Sequence, residues 1–428
     1  MKMKVKIDSM AFGGYGVARM DGKVLFVPYT VTGDEVWIEI TEEKKRYSIG
    51  KLIRIAEPSS LRVDPTCPYF GKCGGCRWQH INPSIHGEIK RTILFETLKR
   101  LGKLDQIPPV DVVPFPKPYG YRTRVQLKVR KKTIGYYQEG SHKIVDINHC
   151  PISHPLTNQM ISILRDQQEH FLNMEEIEIN VSPQEEKGVL LFHPYSPHSN
   201  DQQFEKFAKQ FLQNQPALQG IAISGKREWI SIGNPSLSFT IPFSEEEKER
   251  SLVFRISPGS FSQVNLEQNE KLIQTVIEFS SATKSDRILD LYAGAGNFTL
   301  PLSIHAGEVW GIEENKVAIK DVKFNAERNG IRNARFIEGT VEAVLKDWNK
   351  GIPDQIILDP PRAGCKKNID LIAGLKPKKI VYVSCEPTTF SRDLRLFCEK
   401  GYSLQRVRLI DMFPQTYHME VVGLLTRN

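Results

Sequence analysis

No stretch of this 428-residue chain approaches the ~18 consecutive apolar residues that a membrane span requires, and the first residues lack the apolar core of a secretory leader. Seven unevenly spaced cysteines are too few for a disulfide scaffold at this length. Internal repeats and low-complexity tracts are missing as well. These absences point away from membrane, secreted and solenoid proteins and toward a reduced, cytoplasmic one with no obligate protein partner. What is present is ordinary globular composition, 40% hydrophobic and 25% charged, with length for roughly two to four domains.

Charge is unevenly spread. Residues 1–150 carry 26 Lys+Arg against 15 Asp+Glu, whereas residues 151–428 carry 32 against 35. The densest basic run extends from Tyr121-Arg-Thr-Arg124 to Arg130-Lys-Lys132. A basic third on a near-neutral body is the footprint of a polyanion-binding module, or of a solvated strand face that binds nothing.

Residues 1–58 have short alternating segments and turn residues. Examples are Met3–Asp8, the Asp21-Gly22 turn before Lys23–Val27, Val36–Ile40 and Ile49–Ile55. This is a five-strand pattern of the small-barrel type. Ile85, Ile89, Ile93, Leu94, Leu98 and Leu101 then recur at helical spacing, followed by the prolines 108, 109, 114, 116 and 118 of an expected linker. From residue 285 strands alternate with helix-length spacers, at Arg287–Tyr292, Glu308–Glu313, Ala334–Glu338, Gln355–Asp359 and Lys379–Ser384. That rhythm predicts an α/β fold with ligands at the carboxyl ends of parallel strands. The expected organisation is a small β-barrel at 1–58, a central α+β domain at 59–255 and a Rossmann-like domain at 256–428. The helix at 83–101 is left open between the last two.

Asp290-Leu-Tyr-Ala-Gly294-Ala-Gly296-Asn-Phe298 follows the first strong strand, and the second ends in Glu313. The glycines allow close backbone approach to a ligand, and an acidic residue there can accept hydrogen bonds from ribose hydroxyls. The third glycine or alanine of a dinucleotide motif is absent, since Thr299 stands in its place. S-adenosylmethionine therefore fits better than a nicotinamide cofactor. In Asp359-Pro-Pro-Arg362 the aromatic that amine methyltransferases use to stack on a base is also absent.

Ser384-Cys-Glu-Pro387 ends another strand, where a helix start can stabilise a partly exposed thiolate. By position alone Cys385 reads equally as a nucleophile or as a packed core cysteine. Chemistry separates the two. Carbon 5 of uracil is too weak a nucleophile to take a methyl group until a thiolate has added at carbon 6, after which a base must remove the carbon 5 proton. Glu420, in Tyr417-His-Met-Glu420, is the candidate base and His418 its rival. Cys365 lies in a loop near the cofactor end, and Cys398 reads as a helix residue.

Cys67, Cys73 and Cys76 form C-x5-C-x2-C, with Cys150 as a distant fourth. Four thiols in one region suggest metal, and three close cysteines plus a remote Cys-Pro suit a [4Fe–4S] cluster better than zinc. The C-x3-C-x2-C spacing of radical enzymes is absent, so a structural or RNA-contacting role is expected.

Together Cys67…Cys73-Gly-Gly-Cys76, Phe261-Ser-Gln263-Val-Asn265, Asp290–Phe298, Asp359–Arg362 and Ser384–Pro387 resemble the S-adenosylmethionine-dependent RNA 5-methyluridine methyltransferases. That family carries an N-terminal TRAM domain and a [4Fe–4S] cluster. The resemblance implies Cys385 as nucleophile and Glu420 as base. It also implies Gln263, Tyr292, Asn297, Glu313 and Asp359 as S-adenosylmethionine contacts, with Phe261 beside the target base. It implies an RNA substrate, 23S ribosomal RNA on the strength of the cysteines; the alternatives are the same chemistry on the transfer-RNA T-loop, or a non-catalytic RNA-binding or ribosome-assembly protein that retains the cofactor pocket.

Overall fold

A computed structural model describes residues 2–20, 22–196, 202–225, 229–245 and 248–428. Asp21 of the expected hairpin turn lies outside them. The N-terminal barrel is a six-stranded sheet ordered Lys2–Lys6, Glu35–Glu43, Tyr47–Glu57, Lys23–Pro28, Tyr15–Met20, Ser9–Ala11. Its strands alternate as the sequence does, and Ile7, Ala18, Leu25, Val27, Val36 and Ile38 fill its interior. The extra strand, Ser9–Ala11, is only three residues long, too short to show a period.

A seven-stranded sheet follows, ordered Ile144–Asp146, Thr133–Tyr137, Arg124–Arg130, Met174–Ser182, Lys187–Pro194, Leu218–Ser224, Trp229–Gly233. Helices Pro155–Arg165 and Gln202–Gln213 close over its apolar face, burying Met160, Phe171, Phe192 and Phe204 among others.

The C-terminal sheet has eight strands: Ala334–Glu338, Glu308–Glu313, Arg287–Leu291, Gln355–Leu358, Lys379–Ser384, Glu420–Arg427, Tyr402–Ile410, Val110–Val113. All five strands expected from residue 285 onward are present and parallel. Glu420–Arg427 is inserted antiparallel between its neighbours.

Packing crosses the expected domain limits. The prolines at 108–118 flank a strand, not only a linker: Val110–Val113 pairs in parallel with Val407–Ile410. Helix His86–Arg100 buries Ile93, Leu94 and Leu98 in the same core as Phe390, Leu394 and Phe397, so it joins the α/β sheet. The hairpin of Leu237–Glu245 and Lys248–Ile256 also packs there, through Phe239, Ile241, Leu252 and Phe254. An apolar stripe shows that a helix face is buried but not which body buries it.

Candidate active site and cysteine cleft

The site forms where sheet topology sets consecutive strand ends side by side. Arg287–Leu291, Glu308–Glu313, Gln355–Leu358 and Lys379–Ser384 are parallel neighbours, so Tyr292, Glu313, Asp359 and Cys385 share the carboxyl end of the sheet. The antiparallel strand runs the other way and begins at that end with Glu420. Pairing of Ser384 with Val421 sets Cys385 opposite Glu420 across the ladder.

Glu420 is 2% exposed. Burial first, and then the negative charge of Asp359, hold its carboxyl well above the usual range, against the pull of Arg362. Burial raises Asp359 to about 7. The Cys385 thiol is pushed up to about 12, first by burial and then by Glu420, with Arg362 opposing. Here the structure differs from the expected helix-stabilised thiolate. Helix Pro387–Glu399 does start behind Cys385, while burial and the neighbouring carboxylate oppose ionisation of its thiol. The thiol loses its proton only when a partner takes it. His418 is lowered to about 4 by burial and by nearby cations, Arg362 first among them, so it is neutral near pH 7.

The turn after Arg287–Leu291 is built for close approach. Tyr292 has φ 68° and Gly294 and Gly296 have φ 54° and 96°. Glu313 accepts hydrogen bonds from the Gly294 and Asn315 amides, at 2.9 and 2.7 Å. Asn315 Nδ2 in turn donates to the Gly259 carbonyl at 3.0 Å, tying down the segment that carries Phe261 and Gln263. Asn297 and Asn269 exchange reciprocal amide hydrogen bonds of 3.0 and 2.8 Å. Asn368 donates to the Tyr292 hydroxyl at 2.8 Å. Asp290 is fully buried, accepts a hydrogen bond of 2.5 Å from the Thr299 hydroxyl on one oxygen, and leaves its other oxygen unpaired. Burial raises it to about 7.

Phe261 is 61% exposed, with the Arg124 guanidinium 5.6 Å from its ring centre. Asn269, Asn368 and Arg362 were not singled out as site residues in the sequence. The first two carry no local pattern. Arg362 was visible only as a missing aromatic.

The two glycines give contrasting expectations. A Cβ on Gly296 would lie 2.6 Å from Val322 Cγ2 and 2.9 Å from Leu300 Cγ, whereas one on Gly294 meets nothing within 4 Å. Gly296→Val should therefore destabilise the fold by about 2 kcal/mol or more, and Gly294→Val mainly fill ligand space, with left-handed strain of about 1–2 kcal/mol. Calorimetry with S-adenosylhomocysteine checks this: Gly294→Val is expected to lose at least about tenfold in affinity while keeping the higher melting temperature of the two. Equal affinity to the parent protein would remove Gly294 from the cofactor turn.

Cys67, Cys73, Cys76 and Cys150 line one cleft with Gln79, Arg122 and Tyr136, its empty space about 810 Å³ with open solvent included. Strand pairing draws the segment together, since Cys73 bridges Gln138 and the Gly74 amide bonds the Tyr137 carbonyl. Burial holds Cys73 up to about 11 and Cys76 up to about 12, and neighbouring thiolates add to both. So dense a set of thiols ionises readily only against bound cations. Zinc at about 2.3 Å from four sulfurs would hold them roughly 3.8 Å apart. Among the described residues, no three of these sulfurs lie within 4.8 Å of one another. Four thiols lining one cleft are a donor set that a [4Fe–4S] cluster would take as ligands.

The basic run separates into two parts. Arg124 pairs with Glu178 at 2.9 Å and Lys128 pairs with Glu176, so their charges are offset. Arg130, Lys131 and Lys132 are exposed at a hairpin turn. The barrel meets the site as well: Phe12 packs edge-on against Tyr417 at 5.3 Å, and Tyr417 lies 4.2 Å from the ring of His418.

Residues 106–428 match the family model described as tRNA (Uracil-5-)-methyltransferase, and residues 3–61 match the TRAM domain of tRNA (uracil(54)-C(5))-methyltransferase. A protein of Aquifex aeolicus described as an uncharacterized RNA methyltransferase is 34% identical over 99% of this chain and 98% of its own. One from Protochlamydia amoebophila with the same description is 35% identical over 97% and 96%. The crystal structure of Pyrococcus abyssi tRNA (uracil-54, C5)-methyltransferase in complex with S-adenosyl-L-homocysteine is similar over 99% of both chains, with TM-score 0.76 and 27% identity.

Proposed function

Because this chain belongs to the TRAM-containing RNA (uracil-5-)-methyltransferase family, and so is an S-adenosylmethionine-dependent RNA methyltransferase, we propose that Cys385 and Glu420 act on one uridine of its RNA substrate. The observation that carries this reading is the register that sets Cys385 against Glu420. The Cys385 sulfur bonds to carbon 6 and its proton passes to a pocket carboxylate. The enolate-like carbon 5 then attacks the sulfonium methyl, and S-adenosylhomocysteine leaves with the carbon–sulfur electron pair. Glu420 takes the carbon 5 proton, the freed pair re-forms the carbon 5–carbon 6 double bond, and the Cys385 sulfur departs. The charges of Asp359 and Glu420 both act on the thiol, so one is assigned to hold its proton while the other accepts from carbon 5. Tyr292, Asn297, Glu313, Asp359 and Gln263 are assigned to the cofactor.

Cys67, Cys73, Cys76 and Cys150 are assigned as ligands of a [4Fe–4S] cluster. When bound, it supplies a rigid, charge-balanced cross-link between the barrel-side loop and the central sheet. The barrel and the exposed Arg130-Lys-Lys132 turn are assigned to the RNA backbone, with the uridine flipped out of its stack.

For the RNA itself, the four cysteines favour 23S ribosomal RNA, on the resemblance described above. A second reading, a transfer-RNA T-loop uridine, is favoured by the likeness to the Pyrococcus abyssi protein over the whole chain. Unmodified 23S ribosomal RNA and unmodified transfer RNA, each incubated with labelled S-adenosylmethionine and digested to nucleosides, decide between them. Labelled 5-methyluridine is expected from one substrate at a rate at least about 100-fold above the other. Label in any other nucleoside, with none in 5-methyluridine, would overturn the reading.

A further inference from the structure

Residues 411–415 lead from strand Tyr402–Ile410 toward Glu420 without joining any ladder, yet each of their five carbonyls is held from outside. Gln268 Nε2 donates to Asp411 at 3.0 Å, Asn265 Nδ2 to Met412 at 3.2 Å and Lys90 Nζ to Phe413 at 3.1 Å. The Tyr121 hydroxyl donates to Pro414 at 3.0 Å, and the Arg77 and Trp78 amides reach Gln415 at 3.3 and 3.0 Å. A connecting segment ordinarily satisfies such groups with water at the surface. Here the donors come from the cysteine loop, the helix His86–Arg100, the start of the central sheet and the helix Leu266–Ser280.

Lys90 is the costliest of these donors. Its side chain is fully buried, its ammonium pairs with Asp411 Oδ1 at 2.6 Å, and the ring of Trp78 lies 5.6 Å away. Replacing a buried ion pair by apolar groups is often neutral or stabilising, so stability alone does not account for it. What the ammonium does is grip two points of one turn, the Asp411 carboxylate and the Phe413 carbonyl. Tyr121, also buried, grips the next residue.

We propose that Lys90 and Tyr121 are positioning residues for catalysis: by fixing the path of 411–415 they hold the Glu420 carboxylate at the carbon 5 proton. They act through the segment and not on the substrate. The inference rests on the reading of Glu420 as base, and its consequence is specific to that step. Loosening the segment impairs removal of the carbon 5 proton more than attack by Cys385, which sits on a different strand.

The test uses full-length Lys90→Met, Tyr121→Phe and Glu420→Gln proteins with labelled methyl donor and a uridine-containing RNA, resolved on denaturing gels. Lys90→Met is expected to lower kcat about 10- to 100-fold, with KM for S-adenosylmethionine within about twofold of the parent, and to accumulate methylated covalent protein–RNA species. Tyr121→Phe keeps the ring and should show the same signature at about 3- to 10-fold, so it decides the matter if Lys90→Met fails to fold. Normal kcat in the folded variants, or lost activity without adduct while Glu420→Gln does trap adduct, overturns the inference. A Glu420→Gln protein that forms no adduct removes Glu420 as base, and this inference falls with it.

Discussion

Cys385→Ala protein is expected to bind S-adenosylmethionine and RNA yet transfer no methyl group, with turnover reduced about 10⁴-fold or more and no covalent species on a denaturing gel. Without sulfur at carbon 6, carbon 5 never acquires the electron density to attack the sulfonium. Glu420→Gln should behave in the opposite way. The charge of Asp359 also acts on the thiol and Asp359 is assigned its proton, so attack and methyl transfer proceed, but Glu420 no longer accepts the carbon 5 proton and the methylated adduct accumulates. Its RNA should be released slowly, since His418 is neutral near pH 7 and can substitute as base. The measurement is the partition of labelled methyl between free RNA and the denaturation-resistant band. Methylation surviving Cys385→Ala would end the nucleophilic reading, and normal turnover by Glu420→Gln would remove Glu420 from it.

A comparably large effect is expected from Cys76→Ser. Anaerobically prepared parent protein should carry about four iron per chain, and the variant close to none. Cluster binding is folding energy for the segment that supplies the ligands, so loss should cost more than about 3 kcal/mol and lower the first thermal transition by about 10 °C. Cys76 immediately precedes Arg77 and Trp78, whose amides hold the Gln415 carbonyl. The damage therefore extends from the cleft to the segment before Glu420, and residual activity should fall even at temperatures where the protein stays folded. Iron and sulfide analysis with calorimetry checks this. Stoichiometric zinc in the parent, or an unchanged transition in the variant, would refute the cluster.

Much of the α/β sheet was legible because its buried strands are apolar runs ending in polar residues at the ligand end, as Gln355–Leu358 ends at Asp359 and Lys379–Ser384 at Cys385. Four cysteines, two of them in a short C-x2-C, likewise announce themselves. Three things did not. Val110–Val113 lies among prolines, and its partner strand is so distant that no local pattern marks it as sheet. Lys90 stands on the buried stripe of its helix, on the same face as His86 and Leu94, but its partner Asp411 is 321 residues away. The direction of the Cys385 shift depends on burial and on Glu420, and neither is visible in the neighbourhood of Ser384-Cys-Glu-Pro387. Local chemistry is readable from a chain. Desolvation and non-local pairing are properties of the folded state.

The edge strand Val110–Val113 also bears on how the molecule is made. Asp111 pairs with Arg408, 297 residues later in the chain, so the sheet is closed by one strand synthesised early and one synthesised late. At about 5–20 residues per second, the early strand waits roughly 15–60 s on the ribosome before its partner exists. Until then it and the apolar face of helix His86–Arg100 are exposed to other nascent chains. The prolines on either side, Pro109 and Pro114, limit how far such an edge can zip onto a stranger. Separating the chain before residue 114 from the rest would tear that edge open, since Val110–Val113 and Val407–Ile410 share one sheet.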